Sequence, residues 1–332
     1  MTITELTNDK KGVLLNKILA SKPRNRIIYG APGTGKSNQI EREAKFYFAS
    51  SHYERITFHP NYSYSHFMGS YKPVVLYKSN SSDSKEQYYK SDKLTPVSTN
   101  LEPVIIYEFV PGPFLKMLIR AQKSIQQGKN ENFLLIIEEI NRANTAATFG
   151  DIFQLLDRND NHDSEYPIFL TEEIQNYLIS EGVDQSFALN TIIPHNLYIW
   201  ATMNNSDQGV NPLDTAFKRR WSFEYLELNK YKDVVEDWEI SLKFLNSPIK
   251  WNEFRDKINN VLKDFVPEDK LLGPFFLNKN ELKQNNAIKN KLLLYLREDA
   301  MRMNPKKLFK FNSFYEIVEQ YDRGENVFNF NF

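Results

Sequence analysis

The stretch that most constrains this chain is GAPGTGKS, Gly30 to Ser37, which follows the apolar run RIIY and precedes an amphipathic segment, NQIEREAKFYF. It matches G-x-x-x-x-G-K-[ST], for which a chance match in a chain of this length is on the order of one in a hundred at average residue usage. Glycine is scarce, 12 in the whole chain, yet Gly30, Gly33 and Gly35 fall together here. Without Cβ atoms, such a turn lets backbone N–H groups converge on a phosphate at the positive end of the following helix. Gly30, Ala31, Pro32, Gly33, Thr34 and Gly35 would form the cradle. Lys36 would reach the β- and γ-phosphates of a nucleotide, and the Ser37 hydroxyl would ligate Mg2+.

A strand feeding a Gly-rich turn and then a helix belongs in an α/β protein, and the rest of the chain agrees. Further strand-like runs are ERITF (54–58), FLLIIE (133–138), HNLYIWAT (195–202) and SFEYLEL (222–228). Helical patterns lie between them, notably PFLKMLIRAQKSIQQ and TAATFGDIFQLLD. Continuous apolar strands separated by helices predict a mostly parallel sheet covered on both faces, a three-layer α/β domain. Beyond residue 228, VVEDWEISLKFL, WNEFRDKINNVLKDF and NKLLLYLREDAMR read as amphipathic helices with no strand between them. The expected division is therefore a leader with one helix (1–22), the α/β nucleotide-binding domain (23–228) and a small helical domain (229–332). Two polar tracts, 78–100 and 157–166, read as surface loops.

Bulk properties remove several function classes. Lysine plus arginine and aspartate plus glutamate balance at 42 each, so no overall field holds nucleic acid to the chain. Cysteine is absent, which excludes disulfides and thiolate metal sites. No apolar run approaches the ~20 residues that cross a bilayer, and the N-terminus has no signal-peptide core, so the expectation is a cytoplasmic protein with no membrane partner. The histidines are scattered without metal spacing. Pro267, Glu268, Glu281 and Lys283 loosely imitate a metal-nuclease signature but lack its flanking strands.

The chemistry concentrates where apolar runs end. FLLIIEEINRAN places Glu138 and Glu139 at the end of a buried strand. In hydrolases with this phosphate loop, a second buried strand ends beside it and carries an acid that helps to hold magnesium. Glu138 fits that place and Glu139 fits the base that polarises the attacking water. Glu138 stands where Asp is usual. Its extra methylene shifts the carboxylate by roughly one C–C bond, and Mg2+ tolerates little misplacement. The reading therefore favours nucleotide binding over fast hydrolysis. Another apolar run, HNLYIWATM, ends in Asn204, whose neutral amide suits a γ-phosphate or a lytic water. Downstream, Lys218, Arg219 and Arg220 cluster at the end of a short helix. They either cap that helix or send one arginine to a neighbouring subunit's nucleotide.

Taken in order, GAPGTGKS, LLIIEEINRAN, TMNNSD and LDTAFKRRWSF resemble the AAA+ ATPase superfamily, and within it the McrB family, the GTP-driven motor subunit of modification-dependent restriction systems. FHPNYSYSHFMGSYKPVV, FVPGPFLKMLIRAQ and TFGDIFQLLDR fit the same family, so the resemblance covers residues 22–228 and continues more weakly through LLGPFFL and KLLLYLREDA. It implies a sheet in the order 5-1-4-3-2, a helical lid, and a nucleotide bound between subunits of a homo-oligomer, usually a hexameric ring. Asn204 takes the sensor-1 place. The family's Asn-Thr-x-Asp signature becomes Asn204-Asn205-Ser206-Asp207, which puts Asp207 near the nucleotide and leaves GTP or ATP open as substrate. A McrC-like nuclease partner is implied, and with only a short segment before the core, DNA is expected to be reached through the complex. Two rivals stand beside this reading. One is a MoxR-like remodelling ATPase; the other is a nucleotide-gated scaffold with very slow turnover, kept open by Glu138.

Overall fold

The computed structural model describes residues 15–79, 101–129, 131–204 and 209–332. Its centre is a five-stranded sheet built from β1 (Asn25–Tyr29), β2 (Tyr53–Thr57), β5 (Phe133–Glu138), β6 (Leu197–Met203) and β7 (Ser222–Tyr225). A separate two-stranded ribbon pairs β3 (Gly69–Ser79) with β4 (Leu101–Pro111). The sheet order is β2-β5-β6-β1-β7 and every neighbouring pair is parallel. Counting the five sheet strands alone and reading from the other edge gives 5-1-4-3-2, the order that the resemblance implies.

Side-chain alternation explains why both faces are covered. Leu135 and Ile137 of β5, with Leu197, Ile199, Ala201 and Met203 of β6, enter one core under helix α2 (Pro113–Gln126). Leu134, Ile136, Tyr198 and Trp200 point the other way, onto Ile40 and Ala44 of helix α1 (Lys36–Tyr47). A strand apolar at every position can satisfy two layers at once. Each fully buried aliphatic side chain contributes roughly 1.5–3 kcal/mol.

Several local expectations need correction. TAATFGDIFQLLD is not one helix but two, Thr145–Phe149 and Ile152–Leu155, broken at Gly150, which has φ 48°. A Cβ at Gly150 would sit 2.8 Å from the Tyr64 ring, so this turn requires glycine. VVEDWEISLKFL is not a helix either. It forms a 3-10 turn (Lys232–Val235) and then β8 (Glu239–Ile240), which pairs antiparallel with β9 (Ile249–Lys250). The other two C-terminal segments are helical, α3 (Trp251–Leu262) and the wide-turned π-helical stretches Ile288–Leu293 and Tyr295–Ala300. Within the tract read as a surface loop at 157–166, Ser164 is buried and the Arg158 guanidinium donates to the carbonyls of Ile193 (2.8 Å) and Leu197 (3.2 Å). Of the other polar tract, residues 80–100 lie outside the described residues, as do 1–14 of the leader.

The C-terminal residues carry a core of their own, from Val235 to Phe328, with Trp251, Phe254, Leu292 and Tyr321 among its members. Ala31 of the phosphate loop also belongs to it. It marks one of the places where the C-terminal region meets the site.

Candidate nucleotide site

Gly30–Ser37 joins the end of β1 to the start of α1, at the edge where all the parallel strands end. Gly35 caps α1 with φ 95°, and the first turn contains no acid, so the helix presents open backbone N–H groups and a positive end to the turn. Gly33, at φ 74°, has a second reason to lack a side chain: a Cβ there would lie 2.4 Å from the backbone nitrogen of Phe276. The reciprocal contact holds for Gly273, whose Cβ would lie 2.3 Å from the Gly33 carbonyl carbon. Two backbone hydrogen bonds fasten the segments, from Gly273 N to Pro32 O (2.9 Å) and from Phe275 N to Gly33 O (2.7 Å). LLGPFF thus seats directly on the phosphate loop. Its sequence signal was a lone glycine among large apolar residues.

Lys36 is buried, and its ammonium donates to the carbonyls of Gly30 (2.8 Å) and Ala31 (3.0 Å). Asp269 lies close enough to feel that charge. Burial lifts the Asp269 carboxyl above its ordinary value, while Lys270 and Lys36 oppose the rise. The Ser37 hydroxyl donates to Glu138 Oε2 at 2.8 Å, which joins the loop to the tip of β5. Two oxygen groups of this kind, a hydroxyl and a carboxylate side by side, suit a hard divalent cation such as Mg2+. Thr202 Oγ1 also donates to Glu138 Oε2, and the Arg55 guanidinium on β2 donates to Oε1.

Glu139 leaves the strand differently. Its backbone is left-handed (φ 56°, ψ 49°), a strained conformation for a non-glycine residue that costs on the order of 1 kcal/mol or more. Its carboxylate meets the end of β6, where Asn204 Nδ2 donates to Glu139 Oε1 at 2.5 Å. Its own N–H donates to Thr202 Oγ1 (3.1 Å), and Arg142 approaches Oε2 at 3.7 Å. Asn204 Oδ1 is buried with no hydrogen-bond partner among the described residues. Asn141, whose Nδ2 donates to the Asn204 carbonyl at 2.8 Å, steadies that strand end. Asp207 lies outside the described residues.

The two arginines behind the site differ. Arg220 is bound to Asp157 at 2.6 Å, donates to the Ala216 carbonyl at 2.9 Å and stacks on Phe153 at 4.1 Å. Arg219 is exposed and enters no ion pair among the described residues. Both follow the short helix Thr215–Lys218, which Asp214 caps by accepting from Phe217 N at 2.6 Å.

The structure therefore gathers Ser37, Lys36, Glu138, Glu139 and Asn204 at one end of the sheet. It sets Arg219 and Arg220 apart from them on another element. Sequence reasoning missed Arg55, Thr202 and the LLGPFF contact.

A phosphate loop at the mouth of a parallel sheet, with an acid pair and an amide on the next two strands, defines the P-loop class of nucleotide-binding proteins. Comparison with known proteins gives the family. Residues 25–221 match the AAA domain of the dynein-related subfamily, and the chain belongs to that family. It is similar to the type II restriction enzyme BsuMI component YdiS of Bacillus subtilis (strain 168), 52% identical over 343 residues and covering 99% of this chain and 97% of that one. It is also similar to the type IV methyl-directed restriction enzyme EcoKMcrB subunit of Escherichia coli (strain K12), 25% identical across 76% of this chain and 46% of that one. The chain is an AAA+ protein related to components of restriction systems. Its family implies nucleotide hydrolysis. Among the described residues no helix is long and apolar enough to cross a membrane.

Proposed function

We propose that this chain is the nucleotide-hydrolysing motor subunit of a restriction complex, which forms a ring, takes GTP or ATP with Mg2+, and powers a partner nuclease of the McrC kind. The observation that carries the reading is the junction of loop and strand tips, Ser37 on Glu138 and Asn204 on Glu139. Gly30 to Ser37 would wrap the phosphates, Lys36 turning from its own loop carbonyls to the β- and γ-oxygens. Ser37 and Glu138 would hold Mg2+, which when bound screens the charge of the phosphates. Glu139 would orient and polarise a water, and the buried Oδ1 of Asn204 offers that water an acceptor. Asp207 would lie near the γ-phosphate.

Of the two arginines, Arg219 suits a role on a neighbour's nucleotide, because Arg220 is committed to Asp157 and Phe153. Residues 229–332 would act as the lid, 23–228 as the nucleotide-binding domain and 1–22 as a leader. The names of the two relatives support a restriction role; the chain would perform it in the cytoplasm, with DNA reached through the complex.

The test is release of phosphate from GTP and from ATP. Glu139→Gln should lower turnover about 10²- to 10⁴-fold while nucleotide still binds. Turnover unchanged in that variant would end the assignment of Glu139. Arg219→Ala should abolish turnover in the assembled state and leave thermal stability alone. Arg220→Ala should instead lower stability. The opposite pattern would exchange the two roles.

A further inference from the structure

Arg55 belongs to none of the motifs, yet it touches the residue in which this chain departs from the usual pattern. In the parallel pairing of β2 with β5, Arg55 lies opposite Ile136 and Thr57 opposite Glu138. Arg55 and Glu138 therefore project from the same face of the sheet, the one that α1 covers. One arm of the guanidinium donates to Glu138 Oε1. The other donates to Glu41 Oε2 on α1 at 2.5 Å, and Lys45 supports Glu41 at 2.9 Å. The second carboxylate oxygen, Oε2, is left to Ser37 and Thr202. The two oxygens are thus divided: one anchored by arginine, one facing the hydroxyl that would ligate the metal.

A glutamate at this place has one more rotatable bond than an aspartate and so more ways to miss. We propose that Arg55 is a positioning residue for the metal site: by holding Oε1 it keeps Oε2 of the longer side chain beside Ser37, and so sets the affinity for the Mg2+–nucleotide complex. The inference rests on the nucleotide reading given above. It also has a rival in simple electrostatics. A guanidinium beside a divalent cation repels it, so if charge alone mattered, removing Arg55 would tighten Mg2+ binding. Positioning requires the opposite sign.

The experiment uses the full chain and fluorescent analogues of GTP and ATP, with affinity measured across a Mg2+ titration and in EDTA. Arg55→Gln should raise the Mg2+ concentration for half-maximal enhancement about 10- to 100-fold, the usual effect of losing a group that orients a metal ligand. Affinity in EDTA should stay within about two-fold. Arg55→Lys should recover only part of the loss, since one ammonium cannot fork between Glu41 and Glu138. In a Glu138→Asp background the shorter carboxylate draws back from Arg55, so adding Arg55→Gln should change the Mg2+ requirement by no more than about three-fold. Unchanged or tighter Mg2+ binding in Arg55→Gln, or an equal loss in both backgrounds, overturns the proposal. A parent protein whose nucleotide affinity ignores Mg2+ would overturn the metal assignment and the proposal with it, whereas one that binds neither analogue would bring down the nucleotide reading itself. Because β2 is an edge strand and the Arg55 side chain is 30% exposed, the variants are expected to fold, which far-ultraviolet circular dichroism checks.

Discussion

Two arginines grip helix α1 toward opposite edges of the sheet, and they are built from the same parts. Arg26 on β1 forks between Glu43 of α1 (2.7 and 3.0 Å) and Glu224 of β7 (2.8 and 2.5 Å). Arg55 on β2 forks between Glu41 of α1 and Glu138 of β5. The surroundings separate them. Arg26 is 2% exposed, lies 5.0 Å from the Trp200 ring, and sits in a closed network in which Gln39 donates to both of its carboxylates. The Arg55 network is open at one end, where a carboxylate oxygen faces the phosphate loop. The same ion triad therefore serves as a clamp where its arginine is buried and its carboxylates are held by structural side chains, and as a pointer where one carboxylate oxygen faces the phosphate loop.

The largest effect expected from this contrast is on folding. Arg26→Met strands two partly buried carboxylates and should cost about 3–5 kcal/mol in urea unfolding. A loss under about 1 kcal/mol would mean that the Arg26 triad is no clamp. The penalty should also depend on pH. Burial alone would raise the Glu43 and Glu224 carboxyls, but Arg26, with Lys22 and Lys230 behind it, outweighs burial and holds both below their ordinary values. A depressed folded value means stability that is complete above the unfolded carboxylate range, near pH 4.3, and is lost as pH falls through the lowered folded values. In Arg26→Met the same carboxyls are left with burial, so the gap between parent and variant should narrow on acidification. A gap that holds constant from neutral pH down to about pH 3 would contradict this.

Arg55→Gln should be the milder change for folding, within about 1 kcal/mol, because its pairs are partly exposed. If it destabilised as much as Arg26→Met, the distinction between clamp and pointer would collapse. Smallest of all, Lys45→Ala removes an exposed partner of Glu41 four residues along α1 and should lower the urea midpoint only slightly, less than Arg55→Gln does.

The same contrast shows what a sequence can and cannot convey. The phosphate loop and the five sheet strands were legible, since each is a local pattern: glycines at set intervals, runs buried on both faces in β1, β5 and β6, and short β-branched or aromatic runs at the exposed edges in β2 and β7. So was the meeting of Glu138 with the loop, through motif order. The β3–β4 ribbon was not, because Lys72 and Pro73 interrupt any apolar run and its strands pair over long range, Gly69 opposite Pro111. Gly150 split a helix whose period looked continuous, for a reason that lies in the Tyr64 ring. Arg55 gives no local hint, since its partner is 83 positions away. Likewise the difference between Arg219 and Arg220 is one of burial, and adjacent residues of the same type look alike until tertiary packing separates them.

At Gly33 and Gly273 two main chains meet with no side chain between them. Compliance in proteins comes chiefly from side chains that can rotate, and this junction has none to offer. Any shift of the turn's peptide groups would carry the segment from Leu271 to Phe276 with it, and with that segment the buried Trp251, whose indole N–H donates to the Pro274 carbonyl at 2.8 Å. The loop is thereby geared to the last third of the chain without backlash.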